Sequence, residues 1–218
     1  FPKADAAAEG WYMKARILYD NNRLAQAEET CLKSMDKFSS GKLTGKIHYI
    51  LGWVYLKENK IKDALTEFKA AFGNLEDDIF AQSALCKIGD IYLDGGEYDT
   101  ASKNFDRALK EYSDGPQSDY AQYRLGDIFL AAKKHDLAIL AYQSLLVNFP
   151  QTGLKEKAMF KLAVSYFKSG SFREAMAEFE RLAKLSPRWA DGSFYRFYLA
   201  GSLYNLNRYE EALEIFRS

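Results

Sequence analysis

His48 and His135 are the only two histidines of the chain, and imidazole is the side chain that moves protons most readily near neutral pH. The spacing of apolar residues puts His48 within one predicted helix and His135 just ahead of another. A nucleophile, a base and an orienting group must converge on one point for covalent catalysis, and neither histidine has such company. Asp77-Asp78 and Asp90/Asp94 are spaced as paired carboxylates, but each also reads as a solvated helix face or cap. Gly95-Gly96 follows no strand pattern and belongs to no Gly-x-Gly-x-x-Gly, so it reads as a helix-ending turn rather than a phosphate loop. Cys31 and Cys86 lack any Cys-x-x-Cys or Cys/His spacing and read as two separately packed thiols, not as a disulfide or a metal site. The residues therefore predict no enzyme, no cofactor and no metal.

Composition narrows the remaining classes. The 218 residues carry 30 Lys+Arg against 30 Asp+Glu, without the basic excess of most nucleic-acid binders. No apolar run reaches the roughly 18–20 residues of a membrane-spanning helix. The hydrophobic share of 48% is ample for a core, and only four prolines interrupt it.

The elements that position these residues repeat. Ala27, Ala64, Ala101, Ala138, Ala175 and Ala212 recur every 37 residues. Twelve residues before each stand Ala15, Gly52, Gly89, Gly126, Ala163 and Ala200, all small. Four residues after each alanine come Cys31, Phe68, Phe105, Tyr142, Phe179 and Phe216. Five residues before each lie Asn22, Asn59, Gly96, Lys133, Gly170 and Asn207, and Asn and Gly tolerate the left-handed conformation that closes a helix. Lys133 is the exception and would be strained in the same conformation. The unit is two antiparallel helices, A and B, joined by a tight turn, with approximate repeats 8–44, 45–81, 82–118, 119–155, 156–192 and 193–218. The small residue and the alanine are expected where the two axes approach most closely, with the aromatics filling wider gaps between successive pairs. Such a pair cannot bury its apolar face alone, so neighbours must stack.

The columns legible in 47-IHYILGWVYLKENKIKDALTEFKAAF-72, 84-ALCKIGDIYLDGGEYDTASKNFDRAL-109 and 158-AMFKLAVSYFKSGSFREAMAEFERL-182 resemble the tetratricopeptide repeat family. The resemblance covers essentially the whole chain and implies an all-α, right-handed α-solenoid of stacked helix pairs. The family's tryptophan near the start of helix A appears only at Trp11, and the period exceeds the family's usual one between repeats. Phe149-Pro150-Gln151-Thr152 ahead of a long helix A further resembles repeat proteins of the bacterial envelope, of the β-barrel assembly and Tol-Pal-associated types. That likeness points to the periplasm, whereas unpaired thiols fit a reducing compartment, and the sequence leaves the two open. The register makes residues 1–7 the tail of a preceding repeat and shows no polar capping helix at the other end, as expected of a piece of a longer repeat protein.

In this family helix A lines the inner groove, so the resemblance also implies a set of partner-binding residues. They are Tyr12, Arg16 and Tyr19; Tyr49, Trp53 and Lys57; Cys86, Lys87, Asp90 and Asp94; Tyr123, Arg124 and Asp127; Phe160, Lys161, Val164 and Lys168; and Phe197, Tyr198 and Tyr204. Rings with Arg and Lys are the composition of binding hot spots. Trp53, flanked four residues away by Tyr49 and Lys57, reads as the exposed anchor. Lys157, Lys161 and Lys168 would form a basic ridge, and Asp90, Asp94 and Asp127 an acidic one. Family members that clamp a chaperone's C-terminal carboxylate use Lys and Asn at places held here by Tyr12, Arg16, Ile50, Ser83 and Lys87, so that ligand is disfavoured. The leading expectation is a non-enzymatic scaffold binding a partner peptide or helix in this groove. Two alternatives stay open: a glycan-contacting scaffold of envelope export or assembly, and a self-assembling structural repeat protein.

Overall fold

A computed structural model describes residues 2–38, 42–75 and 79–217. Asp77 and Asp78 lie outside them. Among the described residues there are twelve α-helices and no strand: α1 (Pro2–Asp20), α2 (Leu24–Lys37), α3 (Lys42–Lys57), α4 (Ile61–Gly73), α5 (Ile79–Asp94), α6 (Tyr98–Glu111), α7 (Ser118–Ala131), α8 (His135–Asn148), α9 (Lys155–Ser169), α10 (Phe172–Leu185), α11 (Ser193–Asn205) and α12 (Tyr209–Arg217). The six B helices, α2 to α12, start at intervals of 37 residues. Residues 2–7, which the register places ahead of the first repeat, are helical and run on into α1. Alanines at 4, 6, 7 and 8 favour that helix, and proline is well suited to its first position.

One turn design closes every A helix. Asn22, Asn59, Lys133 and Asn207 have φ between 57° and 62°, and Gly96 and Gly170 have φ of 77° and 84°. In each turn the left-handed residue donates its N–H three residues back and the next residue donates five back. In the fourth repeat these bonds are Lys133 N–H to Leu130 O at 3.2 Å and Lys134 N–H to Phe129 O at 2.8 Å. This Schellman arrangement satisfies carbonyls that the helix end would leave orphaned. Lys133 thus shares the conformation of the Asn and Gly residues, at the steric cost of its Cβ.

Within each pair the helices close over the small-residue column. A Cβ at Gly52 would stand 2.9 Å from the Phe68 ring, and one at Gly89 would stand 2.6 Å from the Phe105 ring. At Gly126 it would collide with Tyr142. The aromatic column therefore lies over the small residue of its own pair, a correction to the expectation that it only fills gaps between pairs. These rings also meet the next A helix: Phe179 packs against Tyr195 at 5.3 Å, and the Tyr195 hydroxyl donates to Phe179 O at 2.9 Å. Phe68, Phe105, Tyr142 and Phe179 are fully buried, as are Ala27, Ala64, Ala101, Ala138 and Ala175.

The chain divides into two compact units, Phe1–Gln117 and Ser118–Ser218. The division follows a loop bearing Gly115 and Pro116, which separates α6 from α7. In the first unit α1/α2, α3/α4 and α5/α6 pair, with α2 against α3, α4 against α5, and the A helices α1, α3 and α5 in a row. The second unit repeats the scheme with α7/α8, α9/α10 and α11/α12. Each is an all-α stack of helix pairs.

Candidate functional site

The A helices of the first unit carry a network of rings and cations. Tyr49 meets Trp53 at 6.3 Å, Phe68 at 5.7 Å and Phe80 at 5.3 Å between ring centroids. Trp53 also meets Tyr19 at 6.5 Å and stands edge-on to Phe68 at 6.0 Å. The Lys57 ammonium lies 4.1 Å from the Tyr19 ring centre, and that of Lys87 lies 4.9 Å from the Trp53 ring centre. Cations held over ring faces in this way are attracted by the ring quadrupole. Burial, helped by the neighbouring Asp20 carboxylate, raises the pKa of the Tyr19 phenol. Arg16 pairs loosely with Asp20 at 3.9 Å and is exposed, as is Asp94. Lys87 pairs with Asp90 at 2.8 Å.

Asp127 organises the same face of the second unit. It accepts the Tyr142 hydroxyl at 2.8 Å and pairs with both Arg124 and Lys161 at 3.5 Å. Burial, with the Asp127 charge next, pushes the neighbouring Tyr123 phenol up to about 12 and that of Tyr142 higher still. Further along, Phe160 stacks on Trp189 at 5.1 Å and meets Tyr198 at 6.4 Å. Phe197 touches Tyr198 at 5.2 Å and Tyr204 touches Tyr209 at 5.3 Å.

Several sequence-based placements change. Tyr12 is buried against Phe80, and Cys86 and Val164 are buried too, so these three belong to the core rather than to an open surface. Trp53 is half-buried among Tyr19, Tyr49 and Phe68 instead of standing free. The two charge ridges are interrupted: Lys87 answers Asp90, while Arg124 and Lys161 answer Asp127. Open rings cluster on α11, where Phe197 and Tyr204 are 55% and 60% exposed and Phe194, absent from the sequence-based set, is 75% exposed. Phe194 lies three residues before Phe197, a helical spacing that could have marked it. Trp189 sits in a single 3-10 turn, Pro187–Trp189, outside the A-helix register. Its indole N–H donates to Glu156 at 2.9 Å.

The histidines have structural neighbours. His48 Nδ1 lies 2.6 Å from the Glu67 carboxylate, joining α3 to α4. His135 opens α8 in the other unit. Gly95-Gly96 forms the α5–α6 turn, as its sequence predicts. Among the described residues no cluster of His, Cys, Asp and Glu has metal-binding geometry, and no helix is long and apolar enough to cross a membrane.

Stacked helix pairs with one turn design and a row of A helices define an α-helical repeat solenoid, a class of protein-interaction scaffold. A tetratricopeptide repeat model matches residues 86–152 and 160–218, and a second such model matches residues 8–36. The chain belongs to the tetratricopeptide repeat family. No curated protein matches its sequence. Among solved structures it is similar to a tetratricopeptide repeat protein from Parabacteroides merdae, with 19% identity and a TM-score of 0.75 over 97% of this chain and 78% of that one. It is also similar to pilF of Pseudomonas aeruginosa, with 15% identity and a TM-score of 0.73 over 98% and 90% of the two chains. YrrB, described as a TPR protein with an unusual peptide-binding site, shares 17% identity at a TM-score of 0.65 over 81% and 85%.

Proposed function

We propose that the chain is a non-enzymatic scaffold that takes a partner peptide or helix on its A-helix surfaces. The observation that carries this reading is the Tyr19–Trp53 surface, where Lys57 and Lys87 are held over the two rings. Half-buried rings keep a fixed orientation and so lose little entropy on contact, while the cations steer an acidic or polar ligand. Phe197 and Tyr204 offer a similar surface in the second unit, still open to solvent. YrrB's description as a peptide binder supports the same use of the family's fold.

The test is selection of a peptide from a displayed random library, followed by titration of that peptide against variants. Trp53→Ala should weaken binding by more than about 1 kcal/mol. Lys57→Glu with Lys87→Glu should slow association and alter its salt dependence. A bound neutral glycan would respond to Trp53→Ala with little salt dependence. Unchanged affinity in all of these variants, with helicity retained, would overturn the reading. Self-association is the second reading, favoured by the exposed Phe194, Phe197, Tyr204 and Phe216 rings. It is tested by sedimentation of wild type against Phe194→Ser with Phe197→Ser.

A further inference from the structure

The fourth repeat departs from the others at two positions, on either side of Lys134, whose own place is held by Arg23, Lys60, Glu97, Ser171 and Arg208 in the other repeats. Where the other A–B turns place Asn or Gly, it has Lys133, and His135 stands where they have Leu24, Ile61, Tyr98, Phe172 and Tyr209. Across from this turn, the end of α9 contributes Lys168 and Ser169 to the walls of a cavity of about 470 Å³. Lys133, Lys134, His135 and Asp136 line its other side. Three lysines thus border one concavity with a single acidic residue, Asp136.

At two other turns the cation in the place of Lys134 is matched. Lys60 pairs with Glu58 at 2.8 Å, and Arg208 pairs with Glu211 at 2.6 Å. Neither the Lys133 nor the Lys168 side chain has a hydrogen bond or ion pair among the described residues. The His135 Nδ1 atom is buried without a partner, in a column that elsewhere holds aliphatic side chains, Phe or Tyr. Gathering like charges is unfavourable unless something answers them, and a buried polar atom calls for a hydrogen-bonding group.

We propose that this cavity is a binding site for a phosphate-type dianion. Three acceptor oxygens on one small group suit two lysines that border the cavity, one at the end of α9 and one in the turn, and such charge-assisted bonds are the strong ones. The N–H groups of the first turn of α8 open at the same place, where negative charge is favoured. The site is separate from the aromatic surface proposed above and does not depend on it.

The test titrates ¹⁵N-labelled protein with inorganic phosphate at constant ionic strength and follows amide shifts. A second arm uses a phosphoserine peptide and its unphosphorylated counterpart. Saturable shifts are expected at residues 133–137 and 168–169. Lys133→Gly with Lys168→Ser should lower affinity at least about tenfold, and glycine at 133 keeps the turn that Gly96 and Gly170 already make. Lys103→Ser with Lys110→Ser, on α6, should leave affinity unchanged. A phosphopeptide binding at least about tenfold more tightly than phosphate would mean that a partner carries the group. Equal or weaker binding would make free phosphate the ligand. Absence of saturable shifts with both probes, or equal affinity in the Lys133/Lys168 double variant, would overturn the proposal.

Discussion

Gly89 on α5 lies directly beneath the ring of Phe105 on α6, and a Cβ at position 89 would stand 2.6 Å from that ring. Phe105 is fully buried, so the ring has no free volume into which to turn. Gly89→Ala should therefore destabilise the protein by about 1–3 kcal/mol, the range of core overpacking, in spite of alanine's better helix propensity. Gly10→Ala is the control, since nothing lies within 4 Å of its Cβ position on α1. It should stabilise by up to about 1 kcal/mol. Urea unfolding of both variants checks the pair, and a neutral Gly89→Ala would mean that α5 and α6 can move apart freely. Ala163 and Ala200 hold the same column opposite Phe179 and Phe216, so a methyl group is tolerated where the pair is built around it.

Lys133 has a left-handed φ of 59°, a conformation that the five other turns assign to Asn or Gly. Lys133→Gly removes the Cβ clash and should raise stability by about 0.5–1 kcal/mol, less the entropy that glycine adds to the unfolded chain. Lys133→Asn should gain less, and Lys133→Val should lose stability because a β-branched residue fits this conformation poorly. Thermal unfolding of the three variants orders them. If valine proves as stable as lysine, the turn does not hold this φ in solution.

How much of this could be read from the residues differs between backbone and surface. The turn column was fully legible because left-handed geometry selects Asn and Gly by sterics, and even the exception, Lys133, follows its neighbours' backbone. The A-helix surface was only partly legible: register tells which face a residue is on, not what leans against it. Tyr12 falls on the expected face yet is covered by Phe80, a residue outside every repeating column. Another relationship was hidden because its chemistry changes from repeat to repeat. Gln82, Asp119 and Glu156 are spaced by 37 residues, and each holds the loop that follows its own helix pair. Gln82 donates to Tyr112 O and accepts from Gln117 N–H, both at 3.0 Å. Asp119 accepts from the Thr152 hydroxyl at 2.6 Å, and Glu156 accepts from the Trp189 indole at 2.9 Å. Amide, carboxylate and longer carboxylate do the same work, so no residue type marks the column.

That clamp yields a direct expectation. Gln82 is fully buried, and Gln82→Ala would take the side-chain acceptor from the Gln117 amide and leave the Tyr112 carbonyl with the Gly115 N–H but without its side-chain donor. The loss should be about 1–3 kcal/mol. Amide exchange should accelerate in residues 112–117 before it does in α5 or α6. Uniform acceleration throughout the first unit would show that the loop is not held locally.

Cys31 and Cys86 give the last expectation, because burial is the first cause that pushes both thiols up to about 12 from an ordinary value of 9.0. The nearby carboxylates, Glu67 and Glu28 for Cys31 and Asp90 for Cys86, act in the same direction. Thiolate is the nucleophile, so neither sulfur should react with a disulfide reagent in the native protein at pH 8, and both should react at once in denaturant. The same shifts fix the sign of a pH dependence. Between about 9 and 12 the unfolded chain releases these protons while the folded chain keeps them, so the unfolded state binds fewer protons and stability falls as pH rises. Below the unfolded value both states are protonated, and this contribution is complete and constant. Tyr55 and Tyr195, also raised to about 12 chiefly by burial, add to the slope above their ordinary 10.0. Urea midpoints measured from pH 8 to pH 11 should therefore decline, most steeply above pH 10. Cys31→Ala with Cys86→Ala should remove the part of the decline that begins near pH 9. A wild-type midpoint that stays level across the range would mean that these groups ionise as easily folded as unfolded.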